Sequence, residues 1–348
     1  MPWLVDEMND SKIFEIFKPT ENDKFSDLKG YDLQDLIYYL NDLYLALRST
    51  LGLDKEVTFG MELEFEKSMN FFINTRLALS DLDKEFKIKH DGSLGILSGE
   101  IATPVLKDVE ADWEKLSRLC KVVSSHATIA DKAGGHVHVG AHIFGKDKDG
   151  ILNFVKLWSV YENIIFRFCY GEFLTARDGI SKYAYAMRER FDEIERWCRE
   201  DEDVLPYDVV RRLARDKYQA VNFCHISDLT RVGDKNTIEF RCPNGTLNPV
   251  IWQNNLNLFI KLIEYAKSKE FNNDIIDERK NLNYTVPHKS SEYNKIYLKQ
   301  ALELTDMIFN NNLDKIYFLK QYLKKYQYTN QPLAKAKQFT KPFTKTFK

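Results

Sequence analysis

Hydrophobic and polar positions change period several times along the chain, and each change marks a predicted element. In residues 31–51, YDLQDLIYYLNDLYLALRSTL, Leu33, Leu36, Ile37, Leu40, Tyr44 and Leu47 recur at helical spacing, with Gly52 placed as a C-cap. This predicts a helical preamble. From VTFGMELEFEK, residues 57–67, the pattern becomes strict alternation. Val57, Phe59, Met61, Leu63 and Phe65 share one face and Glu62, Glu64 and Glu66 the other, as in a half-buried strand. KIKHDGSLGILSGEIATP, residues 87–104, reads as a turn at Asp91-Gly92 between two short strands, with Glu100 facing the same way as Ser98 and Ala102.

Helical spacing returns between Asp108 and Lys132 through Trp113, Leu116, Cys120, Val123 and Ala127, ended by Gly134 and Gly135. The chain then enters AGGHVHVGAHIF, residues 133–144. Read as a strand, it sets His136, His138 and His142 on one face and Val137, Val139, Ala141 and Ile143 on the other. A further helix is expected over about residues 151–170, ended by Gly171. Residues 172–217 are charged and less regular; RERFDEIERWCREDEDVLP suggests an exposed helix and an acidic loop, read together as an insertion or lid. KNTIEFRCP, residues 235–243, is a strand with Glu239 and Arg241 on one face and Ile238, Phe240 and Cys242 on the other. Asn248-Pro249 then caps a helix carrying Trp252, Phe259, Ile260 and Ile263. Beyond residue 270 at least one helix is expected near residues 299–327, before a tail whose lysines include Lys335, Lys337, Lys341, Lys345 and Lys348. Strands followed by helices in this order predict an antiparallel α+β core.

Composition narrows the class of partner. The chain has 348 residues, 44% of them hydrophobic and 29% charged, enough for a sizeable core and about two domain equivalents. Lys plus Arg is 50 against 52 Asp plus Glu, so the net charge of −2 gives no global nucleic-acid or membrane-surface signal. The start MPWLVDEMNDSKIF lacks the pattern of a signal peptide, and no apolar stretch reaches membrane-spanning length, so a cytoplasmic location is expected. Five cysteines without a CxxC pair read as reduced core thiols and argue against thiolate zinc. There is no glycine-rich P-loop and no HExxH motif.

The candidate chemistry lies on the polar faces of the strands. Glu62 and Glu64, Glu100, His136 and His138, and Glu239 with Arg241 come from four separate segments. A carboxylate-rich set with one or two imidazoles suits Mg²⁺ or Mn²⁺, whereas an isolated set of three histidines would suit zinc. Taken singly, an alternating Glu strand is more often an ordinary solvated strand face than a site. Together they concentrate too many like charges for that.

GMELEFE, HDGS, GEIATPVL, GGHVHVG and IEFRCPNGTLNP, in this order, resemble the amidoligase family, a branch of the glutamine synthetase and glutamate–cysteine ligase superfamily. The resemblance covers roughly residues 57–265. It implies ATP-dependent joining of a carboxylate to an amine through an acyl-phosphate. It also implies a glutamine synthetase-like curved antiparallel sheet, helices packed on one side, whose concave face holds Mg²⁺ or Mn²⁺. By this resemblance Glu62, Glu64, Glu100, His136 and Glu239 would be metal ligands, and His138 would lie near the nucleotide phosphates. Arg241 would stabilise the transferring phosphoryl group or the substrate carboxylate. Tyr218 and Asn222, in RDKYQAVNF, would line the site, and Arg231 would be a further phosphate contact. His142 matches no motif position, and Arg177, Lys182 and Arg188 lie where no motif transfers. Glu66, on the same strand face, is a candidate base whose plainer reading is a solvated glutamate.

The resulting division is an N-terminal helical extension (1–54), a catalytic domain (55–270) and a C-terminal helical extension with the basic tail (271–348). The expected partners are a carboxylate substrate and an amine substrate, as an amino acid, peptide or protein. Two other readings stay open: a metal-dependent phosphotransferase like the guanidino kinases, and a degenerate binding module.

Overall fold

The computed structural model describes residues 18–66, 86–91, 94–95, 98–129, 131–201, 203–233, 235–283 and 295–324. Ten α-helices and six strands lie among them, in an α+β arrangement around one open antiparallel sheet. The lysine-rich tail lies outside the described residues, as does the segment after Glu66.

Helix α1 (Gly30–Asp42) buries Leu36, Ile37 and Leu40 but stops well short of Gly52. The reason is tertiary. The backbone N–H of Arg48 donates to Gln253 Oε1 at 2.9 Å and its carbonyl accepts from Gln253 Nε2 at 2.7 Å. The N–H groups of Leu51 and Leu53 donate to the Asp108 carboxylate. With its polar groups satisfied from elsewhere, this stretch buries Leu45, Leu51 and Leu53 without continuing as helix.

Strand β1 (Phe59–Phe65) keeps the alternation its sequence predicts, with Phe59, Met61, Leu63 and Phe65 buried. β2 (Lys87–Lys89) and β3 (Gly99–Ala102) form the expected antiparallel pair. Helix α2 (Glu110–Ser124) ends ten residues before Gly134. Ser124 and Ser125 turn their hydroxyls onto the Lys121 carbonyl at 2.8 and 3.1 Å, a local bond that competes with helix propagation. Thr128 then bridges Glu66.

Strand β4 (Gly135–Gly140) stops before His142, which sits in a short 3₁₀ turn with its Nε2 at 2.8 Å from the Glu56 carbonyl. Thus His142 leaves the face shared by His136 and His138. Helix α3 (Lys148–Cys169) ends with Gly171 at φ +59°, close to prediction. Residues 172–217 hold α4 (Ile180–Tyr183), α5 (Arg188–Glu200) and α6 (Pro206–Leu213), and α5 is less exposed than its charge suggested: Phe191 and Ile194 are buried. β5 (Val221–Asn222) and β6 (Thr237–Phe240) complete the sheet, whose order is β2-β3-β1-β4-β6-β5. Helix α7 (Pro249–Lys267) begins as predicted, with the Asn248 side chain accepting from the Val250 N–H at 3.0 Å and Pro249 at the first position. The C-terminal helical region divides into α8 (Asn273–Asn283), α9 (Lys295–Ile308) and α10 (Asn312–Leu323). Asn311 caps α10, so two helices occupy the region where at least one was expected.

The apolar face of the sheet meets α2, α3 and α7. Trp113 stacks on Phe59 at 5.0 Å, and Phe259 stacks on Phe240 at 4.0 Å with the planes 5° apart. Trp158 packs against both Phe240 and Phe259. Each such buried ring contributes about 1.5–3 kcal/mol, so this face anchors the sheet while the opposite face is left to polar groups.

Candidate functional site

Register decides which side chains meet. Across the antiparallel pairs, Glu62 stands opposite His136, Glu64 opposite Glu100, and His138 opposite Glu239. Asn222 stands opposite Glu239 as well. Directly paired residues share a face, so five strands project Glu100, Glu62, Glu64, His136, His138, Glu239 and Asn222 to the same side. The alternation read from four separate segments therefore converges on one site.

Contacts within it are close. His136, only 4% exposed at its side chain, has Nδ1 at 3.1 Å from Glu62 Oε2 and 3.3 Å from Glu239 Oε1, and Nε2 at 3.5 Å from Glu64 Oε1. His138 Nε2 lies 3.6 Å from Glu62 Oε1, while its Nδ1 is held at 3.1 Å by Thr237 Oγ1. Arg241 donates through Nη1 to Glu239 Oε1 and through Nε to the Tyr183 carbonyl at 3.1 Å. Asn222 Nδ2 donates to Glu239 Oε2 at 2.6 Å. Buried Arg177 lies 3.7 Å from Glu64 Oε2 and donates to the Arg241 carbonyl at 2.9 Å.

The Gly-Gly before the histidines is required by this packing. A Cβ on Gly134 would stand 2.5 Å from Arg177 Nη1, and the Gly134 N–H donates to Glu64 Oε2. On Gly135 a Cβ would stand 2.8 Å from the Asn244 carbonyl and 2.9 Å from Trp252 Cη2. One glycine admits the guanidinium; the next admits the tryptophan. Asn244, from the NGT motif, secures the Arg177 segment by accepting its backbone N–H at 2.9 Å and donating to the Thr175 carbonyl at 2.9 Å.

Electrostatics follow from burial opposed by pairing. Burial disfavours ionised Glu62, yet the neighbouring imidazoles of His136 and His138 outweigh it and hold this carboxyl well below its ordinary range. Glu239 behaves likewise, burial being outweighed by His225, His136 and Arg241. Glu100 moves the other way, raised by burial and by the charge of Glu62 more than Lys89 can offset. Burial acts to discharge His138, but Glu62, Glu239 and Glu100 raise its pKa.

Two cavities open on this face. The first, about 370 Å³, is lined by Glu64, Glu100, His136, Arg177, Tyr218 and Arg241 among others. The second, about 430 Å³, brings together Lys87, Lys89, Lys235, His138 and Thr237. Glu62 lines both. Tyr183 and Tyr218 form an edge-on pair at 5.8 Å in the wall of the first cavity, with the Arg241 guanidinium 6.0 Å from the Tyr218 ring centre.

Among the described residues, three donor groups have ligand atoms within 4.8 Å of one another: Glu62, His138 and Glu239; Glu62, Glu100 and His136; and Glu64, Asp91 and Glu100. The buried Nε2 atoms of His136 and His138 have no hydrogen-bond partner among the described residues. Orphaned imidazole nitrogens among carboxylate oxygens fit a divalent cation, which would satisfy the lone pairs and offset the carboxylate charge.

Most residues named from sequence meet here. Arg231 is exposed and lines neither cavity; its loop is tied by Asn236, and the residue of this loop that brings a cation to the second cavity is Lys235. Glu66 is not a solvated glutamate: it is buried, and its Oε1 accepts the N–H groups of Lys132 and Ala133 at 2.9 and 2.8 Å. It braces the approach to β4. Sequence reasoning left out Asp91, although it stands in the HDGS motif, and His225, for which no pattern existed. Arg177 was noted without a role.

No helix among the described residues is long and apolar enough to cross a membrane. No curated protein matches the chain. Residues 62–263, more than half of the chain, match the model of a family described as "Putative amidoligase enzyme". That span opens at Glu62 and holds every carboxylate, histidine and arginine of this site, and the chain belongs to this amidoligase family.

Proposed function

We propose that the protein is an ATP-dependent carbon–nitrogen ligase that joins a carboxylate to an amine through an acyl-phosphate, with residues 55–270 as its catalytic unit on a glutamine synthetase-like sheet. The observation that carries this reading is the division of the polar face at Glu62. One side is a lysine-bearing cavity suited to phosphates; the other has two arginines suited to a carboxylate. A nucleotide tail and a carboxylate repel each other, and their reacting ends must meet over Glu62.

Glu62, Glu64, Glu100, His136 and Glu239 would hold Mg²⁺ or Mn²⁺, which supplies charge neutralisation of the phosphates during transfer. Lys87, Lys89 and Lys235, with His138, would receive the nucleotide phosphates. Arg241 and Arg177 would orient the acid so that its carboxylate oxygen takes the γ-phosphoryl group and ADP leaves. A neutral amine then attacks the acyl carbon, phosphate departs, and the nitrogen loses a proton. Asn222 keeps Glu239 oriented, and Tyr218 walls the acid side.

The test is to incubate the protein with ATP, Mg²⁺ and a fractionated cell extract, then search by mass spectrometry for products equal to two components less water. Amine-dependent release of ADP and orthophosphate supports the ligase. A stable phosphorylated product without amide would replace it with a phosphotransferase.

A further inference from the structure

The donor group of Glu62, His138 and Glu239 has a fourth neighbour outside every motif. His225 lies in the loop after β5, its side chain 49% exposed, with Nε2 at 3.2 Å from Glu239 Oε2. Its ring centre is 6.1 Å from that of His138. Glu239 has other partners besides this contact: Arg241 at Oε1, and Asn222 at Oε2 at 2.6 Å. Yet the separation is informative. Donors on adjacent corners of an octahedron with metal–ligand bonds of about 2.1 Å stand about 3 Å apart, close to the His225–Glu239 distance. His138 is poised similarly, since Thr237 fixes its Nδ1 and leaves a buried Nε2 without a partner.

We propose that His225 is a nitrogen ligand to the cation bound by Glu62, His138 and Glu239, so that this position selects Mn²⁺ over Mg²⁺. Two imidazoles at one ion are a poor match for Mg²⁺, which prefers oxygen donors and retains water, and a better one for a first-row transition ion. His225 comes from the loop before β6 and stands at the rim of the site, its side chain half exposed. This rests on reading the carboxylate–histidine face as a metal site.

The experiment uses the full chain with each metal alone, without nucleotide. Mn²⁺ binding is followed by electron paramagnetic resonance, Mg²⁺ by competition, and directly coordinated nitrogen by ¹⁴N modulation of the Mn²⁺ echo. Wild type should prefer Mn²⁺ by about tenfold or more, and His225→Gln should weaken Mn²⁺ by about tenfold while changing Mg²⁺ little. The same variant, which retains an N–H for Glu239, should lose part of the ¹⁴N signal. Equal weakening of both metals, or no change in either, would overturn the proposal by reducing His225 to a brace for Glu239. Failure of wild type to bind either metal would remove the metal site itself, a result distinct from binding without preference.

Discussion

Glu62 on β1 stands opposite His136 on β4, its Oε2 3.1 Å from the imidazole Nδ1, and its carboxylate lines both cavities. It is therefore the group through which the lysine side and the arginine side are coupled. With Glu64, Glu100 and Glu239 near it, the face gathers negative charge that the flanking arginines, Lys89 and the two histidines offset in part.

Cation binding should accordingly stabilise the fold. At a metal concentration about 100-fold above Kd, selective binding to the native state adds about 2.7 kcal/mol. Differential scanning fluorimetry should show a higher Tm with Mn²⁺ or Mg²⁺, and Glu62→Gln combined with Glu64→Gln should abolish the rise. A wild-type melting curve unchanged at saturating metal would contradict the site.

The two glycines before His136 should separate site from core. In Gly134→Ala the new methyl meets the end of the Arg177 side chain, which can swing away. Stability should change by less than about 1 kcal/mol, while turnover should fall about tenfold or more as the guanidinium leaves its place. In Gly135→Ala the methyl meets the Asn244 backbone and the Trp252 ring, and overpacking there should cost about 1–3 kcal/mol. Chemical denaturation with kinetics on both variants checks the contrast; matching behaviour of the two would refute it.

How much of this was legible in the sequence depends on whether a residue's role is local. Glu62, Glu64, His136, His138 and Glu239 were readable because strand alternation fixes their face and antiparallel register aligns them. Asn248 announced α7 because a cap acts on its own neighbours. By contrast, α1 was overextended because Gln253, 205 residues away from Arg48, takes over backbone groups that a helix would have used. Glu66 was misread for the same reason: its partners, Lys132 and Ala133, belong to a loop that the alternation of β1 cannot foretell. His225 reaches Glu239 from an irregular loop, where no period exists to place it.

A buried carboxyl away from the site gives the fold a pH signature. Glu162 on α3 accepts from the Met187 N–H at 2.7 Å and Trp158 Nε1 at 3.1 Å, but burial dominates and pushes its pKa up to about 7 from 4.5. Between these values the folded chain keeps a proton that the unfolded chain has released. Stability from this group is full below pH 4.5 and falls as pH rises towards about 7, by roughly 3 kcal/mol. Glu162→Gln should remove that component, so that urea midpoints of variant and wild type diverge from acid to neutral pH, the variant becoming relatively more stable. Parallel pH curves would show that Glu162 does not retain its proton.

Glu239 and Arg241 lie two residues apart and form a buried pair, with side chains only 2% and 15% exposed. This is not a surface ion pair of the kind worth under about 1 kcal/mol. Their substitutions should part company. Glu239→Gln removes a charge from the proposed metal-ligand set, so metal binding and metal-dependent nucleotide binding should weaken together. Arg241→Lys keeps a positive charge beside Glu239 but loses the planar fork, including the Nε bond to the Tyr183 carbonyl that aims it. If Arg241 acts in the proposed phosphoryl transfer, where the fork matters most as charge develops, kcat should fall by about 10² or more. Metal affinity should change far less, since the carboxylates and histidines that make the donor groups remain in place. Isothermal titration with Mn²⁺ and steady-state kinetics on each variant decide the matter: if Arg241→Lys loses metal affinity as severely as Glu239→Gln, Arg241 serves to hold Glu239 and not to stabilise the reaction.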